Sequence, residues 1–417
     1  PLQHAPDCTV RVPGSKSITN RALLIAALAD GVSMLDGALY SDDTTYMAES
    51  WRRLGVRVDE DVAGRRFQVY GCGGAIPANN AELFAGNAGT AMRFLVAALC
   101  LGHGHFRIDG TPRMRERPIQ DLVDTLRHLG ARLRCLSPRG GPPVEVDADG
   151  LCGGTATIDA AKSSQFLSAV LQVAPYTRQG VQLEVSERLV AAPYIDMTIA
   201  VMAAFGVSLE RQGYRRFTVA PQTYRGRDYR IEPDASSAHY FLAAAAITGG
   251  RVRIDGLGKN SLQGDIRFAD VLETMGATVT RGDDFLEVRG RGELGGIDID
   301  MNEISDTAPT LAAIAPFAKG PVTIRNVAHL RLQESDRLLA VATELERLGV
   351  SVQQRDDGLT IKPSSIRAAA VETYDDHRMA MSFALIGLRV PGIGIRDPQC
   401  VRKTFPDYFA LLEELRR

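Results

Sequence analysis

The sequence lacks the features of a membrane protein, a disulfide-stabilised protein or a metalloenzyme. No uninterrupted apolar run reaches the length of a membrane-spanning helix. The six cysteines lie far apart and form no C-x-x-C pair, which argues against a zinc site and against a disulfide framework in a chain of this size. The seven histidines form neither H-x-x-x-H nor H-E-x-x-H, so no metal site is expected.

The sequence also lacks a large net charge and a recognisable targeting segment. A formal net charge of -2 gives no electrostatic reason to expect nucleic acid or an anionic membrane as a partner. The first residues, PLQHAPDC, contain no basic flank followed by an apolar stretch, so we expect no signal or transit peptide and a cytoplasmic location. Only six of the 48 lysine and arginine residues are lysines. A lysine at a candidate site therefore suggests a need for a compact ammonium group that can exchange a proton.

What the sequence contains is an internal repeat. At 417 residues the chain exceeds what one core usually organises, so two domains are expected. Apolar helical runs begin at intervals of about seventy residues, and a glycine closes each run, as is typical of a helix C-terminus. The runs begin at Ser17, Gly89, Ser164, Ser236, Asp306 and Asp376. In the first five copies a second helix follows, ending in an apolar residue before a glycine, and short strand-like segments come next.

Six such units are too long for the repeats of an ordinary solenoid and group naturally into two domains of three units. We place the boundary in the charged stretch RGRDYRIEPDA, residues 225–235. The first lobe then spans residues 14–232, and the second spans residues 1–13 with 233–417. The segment TVRV, residues 9–12, is expected to pair with a strand outside its own unit.

Positive charge coincides with the predicted helix starts. Lys16 and Arg21 lie at the first start, Arg93 at the second and Arg378 at the sixth, and further cationic side chains lie in PRMRERPI, LRLQESDRL and VRKTFPDYF. A helix N-terminus presents unpaired N–H groups and the positive end of the helix dipole, which together suit an anion. Guanidinium groups suit carboxylates and ammonium groups suit phosphates, so we predict a small substrate that carries several negative charges.

Each signal has a simpler interpretation when it is taken alone. GSKS lacks the spacing of a phosphate-binding Walker loop, and GNAGTAMR lacks the G-x-G-x-x-G of a dinucleotide fold, so neither class is predicted. The pair Ser163–Ser164 is also typical of a helix cap, and for Asp306 and Asp376 capping is the better interpretation of the pattern alone. Glu334 and Asp336 could belong to a solvated first helical turn.

The motifs occur in one order along nearly the whole chain. They are PGSKSITNRALLIAALADG, GNAGTAMR, PRMRERPI, SSQFLSAVL, PYIDMT, DASSAHYFLAAAAI, NSLQGDIRFADVLE, ESDRL, YDDHRMAMSFAL and KTFPDYF. This set resembles the 5-enolpyruvylshikimate-3-phosphate synthase family, among the enolpyruvyl transferases. The resemblance implies an α/β fold with two similar domains, each of three βαβαββ repeat units, and an active site in the interdomain cleft.

The same resemblance implies an activity and its context. Members of the family are transferases of the shikimate pathway, which serves aromatic amino-acid (chorismate) biosynthesis. They move the enolpyruvyl (carboxyvinyl) group of phosphoenolpyruvate to the 5-hydroxyl of shikimate 3-phosphate and release phosphate through a tetrahedral intermediate. We therefore expect two small-molecule substrates, no cofactor, no metal, no nucleic-acid or membrane partner, and a monomer.

Site residues are carried over from the family motifs. By resemblance, phosphoenolpyruvate contacts Lys16, Gly89, Thr90, Arg117, Gln165, Arg337, Arg378 and Lys403. Shikimate 3-phosphate contacts Lys16, Ser17, Arg21, Ser163, Ser164, Gln165, Tyr194, Asp306, His329 and Gln333. Asp306 is implied to be the general base on the 5-hydroxyl, and Glu334 with Lys16 to carry a proton to the methylene carbon. A carboxylate among cations is a weak base, so Asp306 must gain from position as much as from basicity.

Four positions depart from the usual family pattern. Ala191 replaces a serine, Gln333 a lysine and His329 an asparagine, all on the side of the shikimate phosphate, so recognition of that phosphate is the property they put in question. Phe94 stands where proline is frequent. Gly89 is kept, and a methyl group there would crowd the phosphoenolpyruvate pocket, so competition by glyphosate is predicted.

Two other functions stay open at this point. The sister enzyme that transfers enolpyruvate to UDP-N-acetylglucosamine typically uses a cysteine in an arginine-rich loop, and PRMRERP has none. A non-catalytic relative that only binds anions would keep the same cations.

Overall fold

The computed structural model describes residues 1–186 and 188–415. The chain divides into two compact units. The N-terminal unit is Gly14–Ile231, and the C-terminal unit is Pro1–Pro13 with Glu232–Arg417. This division differs from the predicted lobes at Glu232. Glu187 and residues 416 and 417, which the predicted lobes include, lie outside the described residues.

The strands are short and are spread along the whole chain. In chain order they are β1 (Asp7–Val10), β2 (Val32–Asp36), β3 (Arg57–Asp61), β4 (Arg66–Tyr70), β5 (Asn80–Phe84), β6 (His103–Asp109), β7 (Arg132–Cys135), β8 (Val144–Asp149), β9 (Gly154–Ile158), β10 (Val181–Val185), β11 (Glu210–Gln212), β12 (Arg216–Val219), β13 (Asp228–Arg230), β14 (Arg251–Asp255), β15 (Thr278–Arg281), β16 (Phe285–Arg289), β17 (Ile297–Asp300), β18 (Val322–Arg325), β19 (Val352–Arg355), β20 (Gly358–Ile361), β21 (Ala370–Val371) and β22 (Gly394–Ile395).

The helices alternate with these strands. The α-helices are α1 (Lys16–Leu28), α2 (Asp42–Arg53), α3 (Gly89–Leu99), α4 (Pro112–Glu116), α5 (Gln120–His128), α6 (Ser164–Val173), α7 (Pro193–Ala204), α8 (Ala235–Thr248), α9 (Phe268–Thr274), α10 (Ala308–Ile314), α11 (Arg337–Arg347), α12 (His377–Ala384) and α13 (Tyr408–Glu414). Short 3₁₀ helices span Ala174–Tyr176, Gly264–Arg267, Asn302–Thr307, Ala315–Phe317, Ala328–Leu332, Leu385–Leu388 and Pro398–Lys403.

Each repeat of the N-terminal unit builds a four-stranded mixed sheet. The strand orders are β13-β2-β4-β3, β5-β6-β8-β7 and β9-β10-β12-β11. In the second and third repeats the strands before and after the first helix pair in parallel, β5 with β6 and β9 with β10, which makes a βαβ crossover. The first repeat takes its outer strand from the end of the unit, because β13 pairs in parallel with β2.

The C-terminal unit repeats this arrangement with a strand from the start of the chain. Its four-stranded sheets have the orders β1-β14-β16-β15 and β17-β18-β20-β19. β1 pairs in parallel with β14, with Asp7 opposite Arg251 and Val10 opposite Ile254. The prediction that this segment pairs outside its own repeat is therefore confirmed, although the strand begins earlier than TVRV.

The sixth repeat departs from the predicted pattern. In the part of the chain that the structure describes, it consists of the parallel pair β21-β22 around α12, followed by α13, with no antiparallel hairpin. The prediction of six full βαβαββ copies is wrong for this one. In the other repeats the antiparallel hairpin follows the second helix, as β7 and β8 follow α5. Here a 3₁₀ helix over Pro398–Lys403 leads into α13, and no strand follows α13 among the described residues.

The first helix of each repeat forms the centre of its unit. In the N-terminal unit α1, α3 and α6 are apolar on nearly all sides and buried along most of their length, as expected for helices inside a core. α3 packs on α6, and α1 packs on α7 and α3. In the C-terminal unit α10 packs on α8 and α12. Each unit has its own apolar core, to which these helices contribute most of their residues.

The helix ends follow the signals read from the sequence. The second helices end at Arg53, His128, Ala204, Thr274 and Arg347, each just before the predicted apolar-glycine pair. Gly249 caps α8 in the left-handed region with φ 78°, where glycine carries no Cβ penalty. No helix among the described residues is long and apolar enough to cross a membrane.

Candidate active site

Lys16 and Ser17 form the first turn of α1. The helix is capped by Ser15, whose Oγ accepts a hydrogen bond from the backbone N–H of Ile18 at 3.4 Å. The Lys16 ammonium lies 3.4 Å from Oδ2 of Asp43, a buried acid in the first turn of α2. Asp43 was not singled out from the sequence, where the pair of aspartates that opens α2 is also typical of an ordinary first helical turn.

Arg21 lies one turn further along α1 and is 2% exposed. Nε donates to Thr198 Oγ1 at 2.8 Å, Nη1 to the Ser17 carbonyl at 3.0 Å, and Nη2 to Ser168 Oγ at 3.3 Å and the Tyr194 carbonyl at 3.2 Å. All four acceptors are neutral oxygens. Burial lowers the pKa of Arg21 to about 10. The group is therefore a buried cation whose charge is met by dipoles alone.

Gly89 opens α3 and lies against the guanidinium of Arg117. A Cβ at Gly89 would be 2.6 Å from Arg117 Nη2, so the guanidinium rests on the glycine backbone. Arg117 Nη1 donates to the carbonyl and the side-chain oxygen of Asn87 at 2.9 and 3.2 Å. Arg93 Nη2 donates to the Pro118 carbonyl at 2.8 Å and ties α3 to the segment that carries Arg117. The missing side chain at Gly89 is what allows this close approach.

Ser163, Ser164 and Gln165 begin α6. Ser163 is the N-cap, because its Oγ accepts a hydrogen bond from the Gln165 backbone N–H at 3.2 Å, and the capping interpretation is confirmed for this residue. Tyr194 lies in the first turn of α7, and its ring centroid is 5.8 Å from the Arg21 guanidinium. Ala191, just before that helix, has φ 49°, a conformation that a non-glycine residue adopts only at an energetic cost.

Arg337, at the start of α11, lies at the centre of an acidic cluster in the C-terminal unit. It is 1% exposed. Its Nε lies 2.8 Å from Asp376 Oδ2, its Nη2 2.8 Å from Glu334 Oε2 and its Nη1 3.3 Å from Asp306 Oδ1. Burial alone would lower the pKa of Arg337, but Asp376, Glu334 and Asp306 together raise it above its ordinary value. The guanidinium is held charged by three carboxylates.

Asp306 connects Arg337 to Arg378 of α12. Its Oδ2 lies 2.6 Å from Arg378 Nη2, and its side chain is 25% exposed. Asp306 lies inside a 3₁₀ turn, and the N-cap of α10 is Thr307, so the capping interpretation is wrong for Asp306. The reason is tertiary: two guanidinium groups from other helices bind its carboxylate.

Asp376 and Glu334 complete this cluster. Asp376 does cap α12, accepting from the Arg378 backbone N–H at 2.9 Å, and it also accepts from Ser335 Oγ at 2.9 Å. The ion pair of Asp376 with Arg337 was not predicted from the sequence. Glu334 is buried, so the interpretation of QESDRL as a solvated turn is wrong for it. Lys403 Nζ lies 3.7 Å from Glu334 Oε1.

A buried polar chain connects the three central helices of this unit. His239 Nε2 of α8 lies 2.8 Å from Thr310 Oγ1 of α10, which lies 2.8 Å from Ser382 Oγ of α12. Burial lowers the pKa of His239 well below its usual value, and the nearby Arg378 charge adds to this. His239 is therefore neutral at neutral pH, and the chain fixes α12, which carries Arg378, against its neighbours.

The comparisons with known proteins point to one family. The family profile described as EPSP synthase (3-phosphoshikimate 1-carboxyvinyltransferase) matches residues 4–412. The chain belongs to the EPSP synthase family. The 3-phosphoshikimate 1-carboxyvinyltransferase of Trichormus variabilis is 51% identical over 409 residues, which cover 98% of this chain and 96% of the relative. That of Aliivibrio fischeri is 50% identical over 413 residues, covering 98% and 97%.

Solved structures confirm the predicted fold of this EPSP synthase family member. The EPSP synthase of Acinetobacter baumannii superposes with a TM-score of 0.82 at 27% identity, covering all of this chain and 97% of that one. The enolpyruvyl transferase NikO of Streptomyces tendae superposes with a TM-score of 0.79 at 20% identity, covering 99% and 96%, which shows the shared fold.

His329 and Gln333 are two of the positions predicted from the sequence to depart from the family pattern, and both lie in the C-terminal unit. His329 Nε2 lies 2.8 Å from Ser305 Oγ. Burial lowers the pKa of His329 to about 4, and Arg337 acts in the same direction. The imidazole is therefore neutral at neutral pH and offers hydrogen bonding rather than charge. Gln333, just before Glu334, is half-buried and carries no charge either.

The segment before Arg378 is under backbone strain. Tyr374 and Asp375 both lie in the left-handed region, with φ 56° and 53°. Non-glycine residues in this region each cost about 1 kcal/mol or more. The turn is fastened by the buried carboxylate of Glu344, which accepts from the Tyr374 hydroxyl at 2.7 Å and from the Glu372 backbone N–H at 3.1 Å. Glu344 gave no sequence signal, because a glutamate in a helix is usually solvated.

Proposed function

We propose that this chain transfers the enolpyruvyl group of phosphoenolpyruvate to the 5-hydroxyl of shikimate 3-phosphate, with release of phosphate, in aromatic amino-acid biosynthesis. Membership of the EPSP synthase family supports the activity. The single observation that carries the residue roles is the bridging of Arg337 and Arg378 by the carboxylate of Asp306. These are the groups that the chemistry needs for one substrate carboxylate and one hydroxyl proton.

Phosphoenolpyruvate carries a carboxylate and a phosphate. Arg337 and Arg378 bind the carboxylate, since both are buried and present guanidinium donors beside each other at Asp306. Lys16, Arg117 and Lys403 bind the phosphate together with the N-terminal N–H groups of α3 at Gly89 and Thr90, and Gln165 adds a polar contact. The residues of this proposal are drawn from both units of the chain.

Shikimate 3-phosphate carries a carboxylate, a phosphate and ring hydroxyls. Arg21 and Ser17 bind the carboxylate. Ser163, Ser164, Gln165 and Tyr194 contact the 3-phosphate and the ring, and the N-terminus of α6 contributes its dipole. His329 and Gln333 contribute hydrogen bonds without charge on the phosphate side, so this chain relies more on neutral donors there than a lysine-bearing relative would.

Asp306 is the general base. In the structure its two oxygens are engaged by Arg337 and Arg378. When the carboxylate of phosphoenolpyruvate takes these guanidinium groups, Asp306 is released to accept the proton of the 5-hydroxyl as its oxygen bonds to C2. Release from two cations also raises the basicity of the carboxylate. Binding of one substrate thus activates the base for the other.

Glu334 and Lys16 carry the proton to and from the methylene carbon, C3. Protonation of C3 accompanies attack at C2 and gives the tetrahedral intermediate. Loss of a proton from C3 and of phosphate from C2 then gives the enolpyruvyl ether and inorganic phosphate. Glu334 lies between Arg337 and Lys403, which keep its carboxylate oriented while it exchanges this proton.

Phosphate release tests the function. We expect inorganic phosphate when phosphoenolpyruvate and shikimate 3-phosphate are present together, and none from either substrate alone. Lys16→Ala and Asp306→Ala should abolish the release while leaving the circular dichroism spectrum unchanged. Full turnover by both variants would contradict the roles, and release with UDP-N-acetylglucosamine as the acceptor would indicate the sister activity instead. Binding of both substrates without any release would indicate the non-catalytic relative.

Glyphosate inhibition is a further part of the proposal. Steady-state inhibition should be competitive with phosphoenolpyruvate, and insensitivity at millimolar glyphosate would refute this part. We also propose a monomer in the cytoplasm without a nucleic-acid or membrane partner. Free thiols on the described cysteines and a net charge of -2 support this, since thiols stay reduced in that compartment.

A further inference from the structure

The environment of Arg21 contains an aromatic ring where a counter-charge would be expected. Among the described residues no carboxylate lies within ion-pair distance of Arg21, and its acceptors are hydroxyl and carbonyl oxygens. A buried cation without an acidic partner is costly. The ring of Phe94, on α3 and fully buried, lies under the guanidinium with 5.2 Å between Cζ and the ring centroid.

A ring and an acid would support this guanidinium in different ways. An acidic partner would neutralise the charge and occupy the N–H donors that a substrate carboxylate needs. A ring attracts the cation through its face, and this attraction is strongest when the pair is desolvated, as here. It leaves the positive charge without an acidic counter-ion, so the charge can attract an incoming anion. Four of the five N–H donors of Arg21 are engaged by neutral oxygens, and the fifth is on Nη1.

We propose that Phe94 is a positioning residue that holds the Arg21 guanidinium against its ring and thereby sets the affinity for the carboxylate of shikimate 3-phosphate. The inference rests on the proposed function, because that function supplies the ligand.

Substitution of the ring by an alkyl group of similar bulk tests the proposal. Phe94→Leu should raise the KM and the calorimetric Kd for shikimate 3-phosphate about five- to thirty-fold, as expected for a desolvated cation–ring contact. The kcat and the KM for phosphoenolpyruvate should stay within about two-fold. Phe94→Tyr keeps an aromatic face and should restore most of the affinity.

Two controls separate positioning from a loss of packing. Phe217 on β12 is equally buried and faces Leu183 across the sheet, so Phe217→Leu should lower the melting temperature comparably without moving the KM for shikimate 3-phosphate. A shikimate 3-phosphate analogue with the carboxylate reduced to a hydroxymethyl group should bind wild type and Phe94→Leu equally.

The outcomes distinguish this inference from the function. Suppose that wild type binds and turns over shikimate 3-phosphate. The positioning role is then overturned if Phe94→Leu binds shikimate 3-phosphate as tightly as wild type does, or if the substitution weakens binding of the hydroxymethyl analogue as much as binding of shikimate 3-phosphate. The function stands in both cases. If wild type does not bind shikimate 3-phosphate at all, both are overturned. Binding without turnover contradicts the function, and the Kd series still decides the role of Phe94.

Discussion

In the N-terminal unit the buried guanidinium of Arg21 is bound by neutral oxygens and rings, whereas in the C-terminal unit the buried guanidinium of Arg337 is bound by three carboxylates. The first arrangement leaves the positive charge without an acidic counter-ion, so an anion can approach without displacing an acid. The second arrangement must give up an acid before it can take an anion. Under the proposed function, anion binding therefore releases an acid at Arg337 in the C-terminal unit and none at Arg21 in the N-terminal unit.

The largest expected difference between the two units is the effect on kcat of removing one acid from each, Asp306 or Asp43. Asp306→Asn should lower kcat by about 10²- to 10⁴-fold, because it removes the proposed general base. Asp43→Asn, which removes the acid beside Lys16 in the N-terminal unit, should lower kcat less than about ten-fold, because its role is electrostatic. Phosphate-release assays at saturating concentrations of both substrates measure kcat for the two variants.

Asp298→Asn is the matched control for this pair, since Asp298 forms an exposed ion pair with Arg325 away from the cluster and should leave kcat unchanged. An equal loss of kcat in Asp43→Asn and Asp306→Asn would remove the distinction between the units.

Stability should separate the two guanidinium sites as well. Asp376→Asn removes a fully buried charge partner of Arg337 and should lower the free energy of unfolding by about 3 kcal/mol. Ser168→Ala removes one neutral acceptor of Arg21 and should lower it by about 1 kcal/mol. Urea denaturation monitored by tryptophan fluorescence and circular dichroism gives both values. A larger decrease in the free energy of unfolding for Ser168→Ala than for Asp376→Asn would mean that Arg21 depends on its neutral partners more than the structure indicates.

Gly89→Ala probes the binding role of the N-terminal unit. The new methyl group would lie 2.6 Å from Arg117 Nη2, so the guanidinium must shift away from the start of α3. We expect the inhibition constant of glyphosate and the KM for phosphoenolpyruvate to rise by about ten-fold, equivalent to a loss of ~1.4 kcal/mol of binding.

The KM for shikimate 3-phosphate should change little in Gly89→Ala. Gly387→Ala in the C-terminal unit, where the nearest atom to a new Cβ is 3.7 Å away, serves as the control. Unchanged glyphosate inhibition in Gly89→Ala would argue against the placement of phosphoenolpyruvate beside Arg117.

A further prediction concerns the pH dependence of stability and His329. Its pKa is about 4 in the folded protein and near 6.5 when unfolded, so between these values the unfolded chain binds more protons and stability rises with pH. Wild type should therefore lose roughly 2 kcal/mol of unfolding free energy between pH 7 and pH 5 from this group.

His329→Asn should lose less stability over the same interval. Burial lowers the pKa of His239 and, together with Asp306, raises the pKa of Asp265 to about 6, but both groups are present in the two proteins, so the difference isolates His329. Identical pH profiles of the melting temperature would show that His329 is not held neutral by the fold.

The sequence predicted what depends on local signals. The repeat and the ends of the second helices at apolar-glycine pairs were readable, because capping residues and glycines act within a turn or two of their position. The capping role of Asp376 was readable for the same reason. The missing hairpin of the sixth repeat was not predicted, because the sixfold helix period dominated the interpretation.

What could not be read depends on contacts between distant segments. Arg337 meets Asp306 and Asp376, which lie 31 and 39 residues away, and Arg21 meets Ser168 and Thr198, which lie 147 and 177 residues away. Nothing local distinguishes an aspartate that caps a helix from one that bridges two arginines. The same holds for Phe94, whose apolar neighbours on α3 are equally consistent with a core residue that touches no cation.

The most direct test of the central claim is phosphorus NMR of the protein with its two proposed substrates. With both present, the phosphoenolpyruvate signal should fall, inorganic phosphate should rise in equal amount, and the shikimate 3-phosphate signal should be replaced by that of its 5-enolpyruvyl ether. Phosphate from phosphoenolpyruvate alone, or two unchanged substrate signals in the mixture, would contradict it.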